Sequence, residues 1–252
     1  MTNTEQKNLL GKIKVPQEYH NRINTLRKNK PAFIGLSIGK KEFMDIKVMN
    51  AYASYLHENF PYSLIIVADT LKRHNIEAID GICEKEALRR ATIAGDDLFR
   101  FIEKITRHLY NVKASRWQDL AQGVIYENEL ELLRQSYEES IHFREDVKME
   151  ARKFLEQPAN ILKIQRHSTL DDAIFIAKNY VLEELALISA IPKISGYGPW
   201  VEIYPGKMEL QNKLYSGYYR AILGDKNSSL AEFSGRISFA TVPIEAYYEP
   251  SN

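Results

Sequence analysis

Three short segments of this chain carry side chains whose chemistry suits acyl transfer. Gly35-Leu36-Ser37 closes an apolar run, and a serine at a strand end can act as a nucleophile once its hydroxyl is activated. Tyr180 and Glu184 stand four residues apart in a helical pattern, so they share one helix face and could hold an ammonium group. Tyr204-Pro205 follows a short strand-like run. No histidine is near these segments in sequence, which argues against a Ser-His-Asp hydrolase and favours a substrate that is already activated.

The turn around the serine also matches a hydrolase motif. Residues 35–39 read Gly-x-Ser-x-Gly, the pattern of the nucleophile elbow in α/β-hydrolases. That fold places its histidine late in the chain, whereas the last histidine here is His167. A serine in a strand-to-loop turn, with glycines present for backbone reasons, fits the same residues. A serine esterase or aminoacyl-tRNA hydrolase therefore stays an alternative.

The helical pattern over 84–109 carries basic side chains along one side. Such a stripe could contact a phosphate backbone through salt-dependent ion pairs. Asp96 interrupts it, and a solvated helix face is the structural alternative. At 100° of rotation per helical residue, four of these side chains lie within about 60° of one another around the helix axis. We refer to these four, together with the neighbouring Arg90, as the basic stripe: Arg89, Arg100, Lys104, Arg107 and Arg90.

The elements that must position these residues begin with a strand, a helix and a second strand. Residues 32–36 and 63–69 are continuous apolar runs typical of strands buried on both faces, and 47–59 has helical spacing. This order predicts a βαβ unit with parallel strands. Ligands in such folds bind outside the carboxyl ends of the strands, where Ser37 and Asp69 stand.

Helical and strand patterns also alternate along the rest of the chain. We expect long helices over 84–109, over 126–157 with a stop at Pro158, and over 170–190 with an end near Pro192. Strands are expected over 200–204 and 237–242. Neither repeats nor a linker divide the sequence, so a single α/β domain over 1–252 is predicted.

Composition narrows the functional classes. The chain has 252 residues and a net charge of +1, so nucleic-acid binding would need a local basic patch. The single cysteine, Cys83, cannot form an intramolecular disulfide and suits a reducing cytoplasm. No metal-binding His or Cys spacing and no phosphate-binding glycine motif occur, so neither metal nor cofactor is expected. The apolar stretches are too short to span a membrane, and no heptad pattern predicts a dimer, so a monomer is expected.

Taken in order, the motifs resemble those of the cyclodipeptide synthases, which make cyclic dipeptides from aminoacyl-tRNAs. The resemblance runs from Phe33 to about Pro243. The residues that carry it are Gly35-Leu36-Ser37, the helix from Glu86-Ala87-Leu88-Arg89-Arg90 to Gly95-Asp96, Tyr180-x-x-x-Glu184, and Tyr204-Pro205. One branch of the family has Asn three residues after the serine and His after the late tyrosine. With Lys40 and Pro205 there, this chain is similar to the branch that has any residue, Tyr and Pro.

The resemblance implies a Rossmann-like parallel sheet flanked by helices, similar to the catalytic domain of class I aminoacyl-tRNA synthetases. It also implies that Ser37 accepts the first aminoacyl group and that a second aminoacyl-tRNA extends it to a dipeptide, which cyclises. Tyr180 and Glu184 would bind the α-amino group, and Tyr204 would position groups or relay protons.

The resemblance also suggests where the substrates bind. Phe33 and Gly35 would line the first side-chain pocket, Lys40 and Pro205 would lie at the site, and the basic stripe would contact tRNA. A non-catalytic, tRNA-binding relative of the synthetase fold is the remaining alternative.

Overall fold

The computed structural model describes residues 12–13, 29–204, 209–223, 229–241 and 246–247, which form a parallel sheet between two layers of helices. The strands of this sheet are β1 (Ala32–Ser37), β2 (Ser63–Ala68), β3 (Val112–Arg116), β4 (Trp200–Tyr204) and β5 (Ile237–Thr241). The helices are α1 (Ile46–Asn59), α2 (Arg73–Asp80), α3 (Glu84–Thr106), α4 (Trp117–Leu120), α5 (Val124–Glu139), α6 (Ile141–Leu155), α7 (Pro158–Ile164), α8 (Leu170–Ser195), α9 (Glu209–Ser216) and α10 (Tyr218–Leu223). Three 3-10 turns, Lys41–Met44, Thr70–Lys72 and Ser229–Phe233, and an antiparallel pair of two-residue strands, Lys12–Ile13 and Ala246–Tyr247, complete the described elements.

The sheet has the strand order β3-β2-β1-β4-β5, and every neighbouring pair is parallel. β1 and β2 pair along their full length, from Ala32 beside Ser63 to Ser37 beside Ala68, with α1 between them in sequence. The βαβ unit expected from the apolar runs is therefore confirmed. β3 was missed because it is an edge strand whose pattern is broken by polar residues such as Lys113 and Ser115.

Successive side chains of each strand point to opposite faces of the sheet, and this divides the core into two layers. Ile34 and Leu36 of β1 face one side, where they pack with residues of α1 and α3. Phe33 faces the other side, where it joins residues of α5, α6 and α8. Because side chains two residues apart share a face, Gly35 and Ser37 belong to the same side as Phe33.

The predicted helix over 126–157 is two helices. α5 ends at Glu139 and α6 begins at Ile141, because the Ser140 hydroxyl caps the second helix by accepting a hydrogen bond of 3.3 Å from the Phe143 amide. Pro158 also begins α7 instead of ending a longer helix. A proline at the first helical position loses no hydrogen bond, since that amide has no partner within the helix.

α8 is longer than the sequence predicted. It begins at a capping box formed by Thr169 and Asp172 and runs through Pro192 to Ser195. Pro192 lies in the last turn, where it removes one backbone hydrogen bond but leaves no further turn to disrupt, and the helix ends at Gly196 with a positive φ of 67°. This helix packs against α2, α5 and α6 and carries Tyr180 and Glu184 near its middle.

Candidate active site

A cavity of about 660 Å³ lies at the carboxyl end of β1, between the sheet and the helical layer that contains α8. Six of the predicted site residues line it: Phe33, Gly35, Ser37, Lys40, Tyr180 and Glu184. For Tyr204 the structure describes the backbone in β4 but not the side chain, and Pro205 lies outside the described residues. The fold thus brings together two segments that are more than 140 residues apart in the chain.

Ser37 is the last residue of β1 and is half-buried at the edge of this cavity. The chain then turns at Gly39, whose φ of 90° lies in the region that favours glycine. Gly35 opens the space below Ser37, since a Cβ added there would meet no heavy atom within 4 Å. The serine therefore stands beside an open volume on the face of the sheet that carries Gly35 and Phe33.

Glu184 enters the cavity from α8, with the Oε2 atom of its carboxyl group out of contact with solvent. The buried Oε2 atom has no hydrogen-bond partner among the described residues. Burial and, after it, the charge of Glu150 raise the pKa of Glu184 to about 8, with Lys72 opposing part of the rise. Tyr180, one turn earlier, lines the same cavity. A buried carboxyl without a bound cation is suited to receive an ammonium group.

Glu183, the residue before Glu184, is held away from the cavity by a largely buried ion pair. Arg73 donates two hydrogen bonds to its carboxylate, of 2.7 and 3.1 Å, and His74 Nε2 lies 2.9 Å from Oε1. Burial alone would raise the pKa of Glu183, but His74 and Arg73 together lower it below its ordinary value. Because Arg73 and His74 begin α2, this contact fixes the rotation of α8 against α2.

Several ionisable residues that the sequence did not single out also line the cavity, among them Lys72, Glu150 and Glu202. Burial and the charge of Lys40 lower the pKa of Lys72 to about 8, although Glu184 partly opposes this. Glu202 had a readable signal, because it alternates in β4 with buried Trp200 and so points to the same face of the sheet. A carboxylate at such an inward position is uncommon and suggests a functional role.

Asp69 also ends a strand, but it does not line the cavity. Its carboxylate accepts a 2.7 Å hydrogen bond from Arg116, which also contacts Asp96 of α3 at 2.7 Å. Gly95 lies directly against it, since a Cβ at that position would be 2.3 Å from the Asp69 Cβ. Asp69 thus fastens α3 to the carboxyl edge of the sheet.

The basic stripe lies on the outer side of α3, with all five residues exposed. Arg89 and Arg90 both pair with Glu86, and their hydrogen bonds lower the pKa of Glu86 to about 2. Arg100 approaches Asp97 at 3.9 Å. The cations nearest the carboxyl end of α3 therefore carry the least compensated charge of the stripe.

Metal-binding and membrane-spanning features are both absent from the part of the chain that the structure describes. No group of three or more His, Cys, Asp or Glu side chains there is arranged to hold a metal ion. Within the same ranges, no helix combines the length and hydropathy of a membrane span.

The fold and the cavity define a Rossmann-like α/β protein with a serine at a strand end and a tyrosine-glutamate pair in the same cavity. The profile of the family described as cyclodipeptide synthase matches residues 18–228, and the chain belongs to this family, whose enzymes transfer aminoacyl groups to make cyclodipeptides. A comparison with curated protein sequences finds no significant match.

Solved structures of the family share the fold. A cyclodipeptide synthase from Fluoribacter dumoffii is 17% identical, with 84% of this chain and 92% of that chain covered and a TM-score of 0.70. A Mycobacterium tuberculosis protein, described as showing that these enzymes are related to type I tRNA synthetases, is 17% identical with 87% of each chain covered and a TM-score of 0.66. A synthase from Candidatus Glomeribacter gigasporarum, bound to Phe-tRNAPhe, is 22% identical with 93% and 95% covered and a TM-score of 0.63.

Proposed function

We propose that this protein joins two aminoacyl groups from aminoacyl-tRNAs into a cyclic dipeptide through an acyl-enzyme on Ser37. The observation that supports this most strongly is the shared cavity of Ser37, Tyr180 and Glu184. A nucleophile and an ammonium-binding pair in one cavity are what an enzyme needs to hold an aminoacyl ester. The ester supplies the driving force, so the reaction needs neither ATP nor a metal.

In the first step the Ser37 Oγ attacks the ester carbonyl of an aminoacyl-tRNA. The bond to the ribose oxygen breaks, that oxygen takes up the proton given up by the Ser37 hydroxyl, and the tRNA leaves. The new ester resembles the old one, so this step is close to isoenergetic. Tyr180 and Glu184 hold the α-ammonium group of the bound residue, whose charge stabilises the Glu184 carboxylate.

The second step forms a dipeptidyl-enzyme. The α-amine of the residue on Ser37 loses a proton and attacks the ester carbonyl of a second aminoacyl-tRNA, whose tRNA leaves with a proton on its ribose oxygen. Glu184, with a pKa of about 8 before substrate binds, is suited to accept the ammonium proton because its proton affinity is close to that of the amine.

Cyclisation completes the reaction. The free amine of the second residue attacks the ester carbonyl on Ser37, a second amide bond forms, and Ser37 Oγ leaves and regains a proton. Tyr204 assists this step by positioning the groups or relaying the proton. Lys40 and Pro205 are the residues by which this chain resembles the branch of the family that has any residue, Tyr and Pro.

Two aminoacyl-tRNAs are thus the partners of the proposed enzyme, which needs no cofactor. We propose that the basic stripe on α3 contacts tRNA, since its five cations lie exposed on one helix that Asp69 and Arg116 fasten to the carboxyl edge of the sheet. The proposed enzyme acts as a monomer in the cytoplasm, where charged tRNAs are made.

Intact mass spectrometry after mixing the protein with purified aminoacyl-tRNAs tests the proposal. We expect an aminoacyl adduct, then a dipeptidyl adduct, and a cyclic dipeptide in solution, all lost in Ser37→Ala. An esterase would release free amino acid without a cyclic product. A non-catalytic tRNA-binding protein would form no adduct and would bind tRNA equally well with Ser37→Ala.

The hydrolase alternative has less support from the cavity. Among the described residues that line it, none is a histidine, so Ser37 lacks the imidazole base of a serine hydrolase. The adduct experiment still separates the two functions, because only the proposed synthase passes through a dipeptide on the serine.

A further inference from the structure

The deep end of the cavity contains a buried carboxyl group that the proposed mechanism does not use. Glu202 lines the cavity, its residue surface is 2% exposed, and its Oε2 atom has no hydrogen-bond partner among the described residues. No lysine or arginine in the described part of the chain forms an ion pair with it. A buried polar atom left unpaired destabilises the folded protein, so it requires an explanation.

The position of Glu202 relative to Ser37 follows from the strand register. Glu202 in β4 is level with Phe33 in β1, four residues before Ser37. The Cα atoms of Glu202 and Ser37 are therefore separated along the strand direction by about 13 Å. Gly35 lies between the two levels on the same face, and the space above it is open. A group attached to Ser37 can extend over Gly35 toward Glu202 only if its side chain is long.

The chemistry of the cavity walls selects among long side chains. Between Ser37 and Glu202 the lining is largely apolar, with Phe33, Ile66 and Ile188 among its residues. An aliphatic stem suits these walls, whereas the end of the chain must satisfy a carboxyl group. An acidic end would add negative charge beside two glutamates, and an apolar end would leave the Oε2 atom of Glu202 unpaired.

We propose that the residue loaded on Ser37 carries a long basic side chain, that of lysine or arginine, whose cationic end is bound by the Glu202 carboxylate. The inference rests on the proposed function and names its first substrate. Its α-ammonium group goes to Glu184 and its side-chain cation to Glu202, so each carboxylate receives one positive charge. Burial and, after it, the charge of Glu184 hold the pKa of empty Glu202 well above its ordinary value, although the Gln211 side chain opposes part of this rise. An adjacent cation would lower the pKa of Glu202 again.

The test compares side chains on one tRNA body, so that tRNA recognition stays constant. A single tRNA is charged by an acylating ribozyme with lysine, methionine or glutamine, and the rate of adduct formation on Ser37 is measured by intact mass. We expect lysine to react at least ten times faster than methionine, which has a similar length and no charge. In E202Q we expect the lysine-to-methionine ratio to fall at least tenfold, chiefly because the lysine rate falls.

Glu150→Gln is the matched control, since Glu150 lines the same cavity but pairs with Lys153 at 3.1 Å. It should keep the lysine preference. Adducts from methionine at least as fast as from lysine would overturn the inference and leave the proposed function intact. Preference for glutamine would do the same, because it would show a protonated Glu202 that donates a hydrogen bond. Absence of any Ser37 adduct would refute the proposed function and the inference together.

Discussion

Glu183 and Glu184 are neighbours on α8 but lie in opposite electrostatic environments. Glu183 accepts two hydrogen bonds from Arg73, whereas Glu184 reaches into the cavity, where its buried Oε2 atom is unpaired among the described residues. The pKa of the first is lowered and that of the second is raised to about 8. One glutamate thus stabilises the folded protein, whereas the other, as a buried carboxyl with an unpaired oxygen, destabilises it above the pKa of an ordinary glutamate.

Stability should therefore depend on pH in a way that Glu184→Gln removes. The unfolded chain releases the Glu184 proton near pH 4.5, while the folded protein keeps it to about pH 8. As the pH rises through this window, the unfolded state gains the advantage and the wild-type protein loses stability. At pH 8, Glu184→Gln should exceed wild type by up to about 4–5 kcal/mol in free energy of unfolding, converted from this shift. Denaturant unfolding at pH 5, 6.5 and 8 measures the difference, and a constant difference would contradict the prediction.

Glu183→Gln is the matched control and should behave in the opposite sense. It leaves the partly buried guanidinium of Arg73 with only the exposed Glu84 carboxylate, 3.4 Å away, as counter-charge, at a cost of up to about 3–5 kcal/mol near neutral pH. Because the folded pKa of Glu183 is lowered, the wild-type advantage should persist above pH 4.5 and disappear as the pH falls through that pKa.

Glu184→Gln and Tyr180→Phe should slow acylation of Ser37 without weakening tRNA binding. In the proposed mechanism the carboxylate supplies the counter-charge for the α-ammonium group, so its loss should reduce the acylation rate constant by about a hundredfold or more. The Tyr180 hydroxyl contributes a neutral hydrogen bond, and its loss should cost about tenfold. Single-turnover adduct formation gives the rates, and filter binding of uncharged tRNA gives the affinity. A weaker tRNA affinity with an unchanged rate would place these residues outside the aminoacyl site.

Lys72→Met should move the pH dependence of acylation upward. Lys72 lowers the pKa of Glu184, which burial and Glu150 otherwise raise. Without that positive charge the carboxylate forms only at a higher pH, so the rising limb of the rate profile near pH 8 should shift to higher pH. Adduct formation measured across this limb, on both sides of the Glu184 pKa, tests the prediction. A downward shift would show that another group controls the limb.

Gly95→Ala should destabilise the protein although alanine is the better helix former. The new methyl group would lie 2.3 Å from the Asp69 Cβ, and Asp69 is held in place by Arg116. The intrinsic gain of about 1 kcal/mol in helix propensity should therefore be outweighed by displacement of α3. Thermal unfolding measures the outcome. Ala94→Gly, on the exposed side of the same helix, is the control and should cost about 1 kcal/mol.

Replacement of Arg100, Lys104 and Arg107 with alanine should weaken binding of every tRNA to a similar extent. Removing one cation that pairs with a phosphate should reduce the slope of log affinity against log salt concentration by somewhat less than one, so a total change of about two is expected. Lys148→Ala, at a side chain of α6 that is 42% exposed, serves as the control and should leave the slope unchanged. A changed amino-acid preference at constant affinity would mean that the stripe does not contact tRNA.

Local patterns were sufficient for much of the sheet and for the residues expected at the site. Apolar runs predicted β1 and β2, and the serine at the end of β1 followed from its place in the first run. The spacing of Tyr180 and Glu184 gave their common helix face without any tertiary information. Such features are readable because they depend on neighbours within one or two turns.

Local patterns gave wrong predictions where the role of a residue depends on its position within a helix or on its contact with a distant residue. Pro158 and Pro192 were expected to stop helices, yet one begins α7 and the other lies inside α8, because position within a helix determines what a proline costs. Asp69, which by its place at a strand end resembles a ligand-binding residue, is instead paired with Arg116 of β3.

By itself, the sequence determined the strand-helix-strand unit, the serine at a strand end and the helix face shared by Tyr180 and Glu184. Only the tertiary structure decided that these groups meet in one cavity, that Glu183 is neutralised by Arg73 and that Glu202 closes the far end. The physical reason is that periodicity and chain stiffness act over a few residues. Burial and charge pairing depend on which distant segments the packed core places side by side.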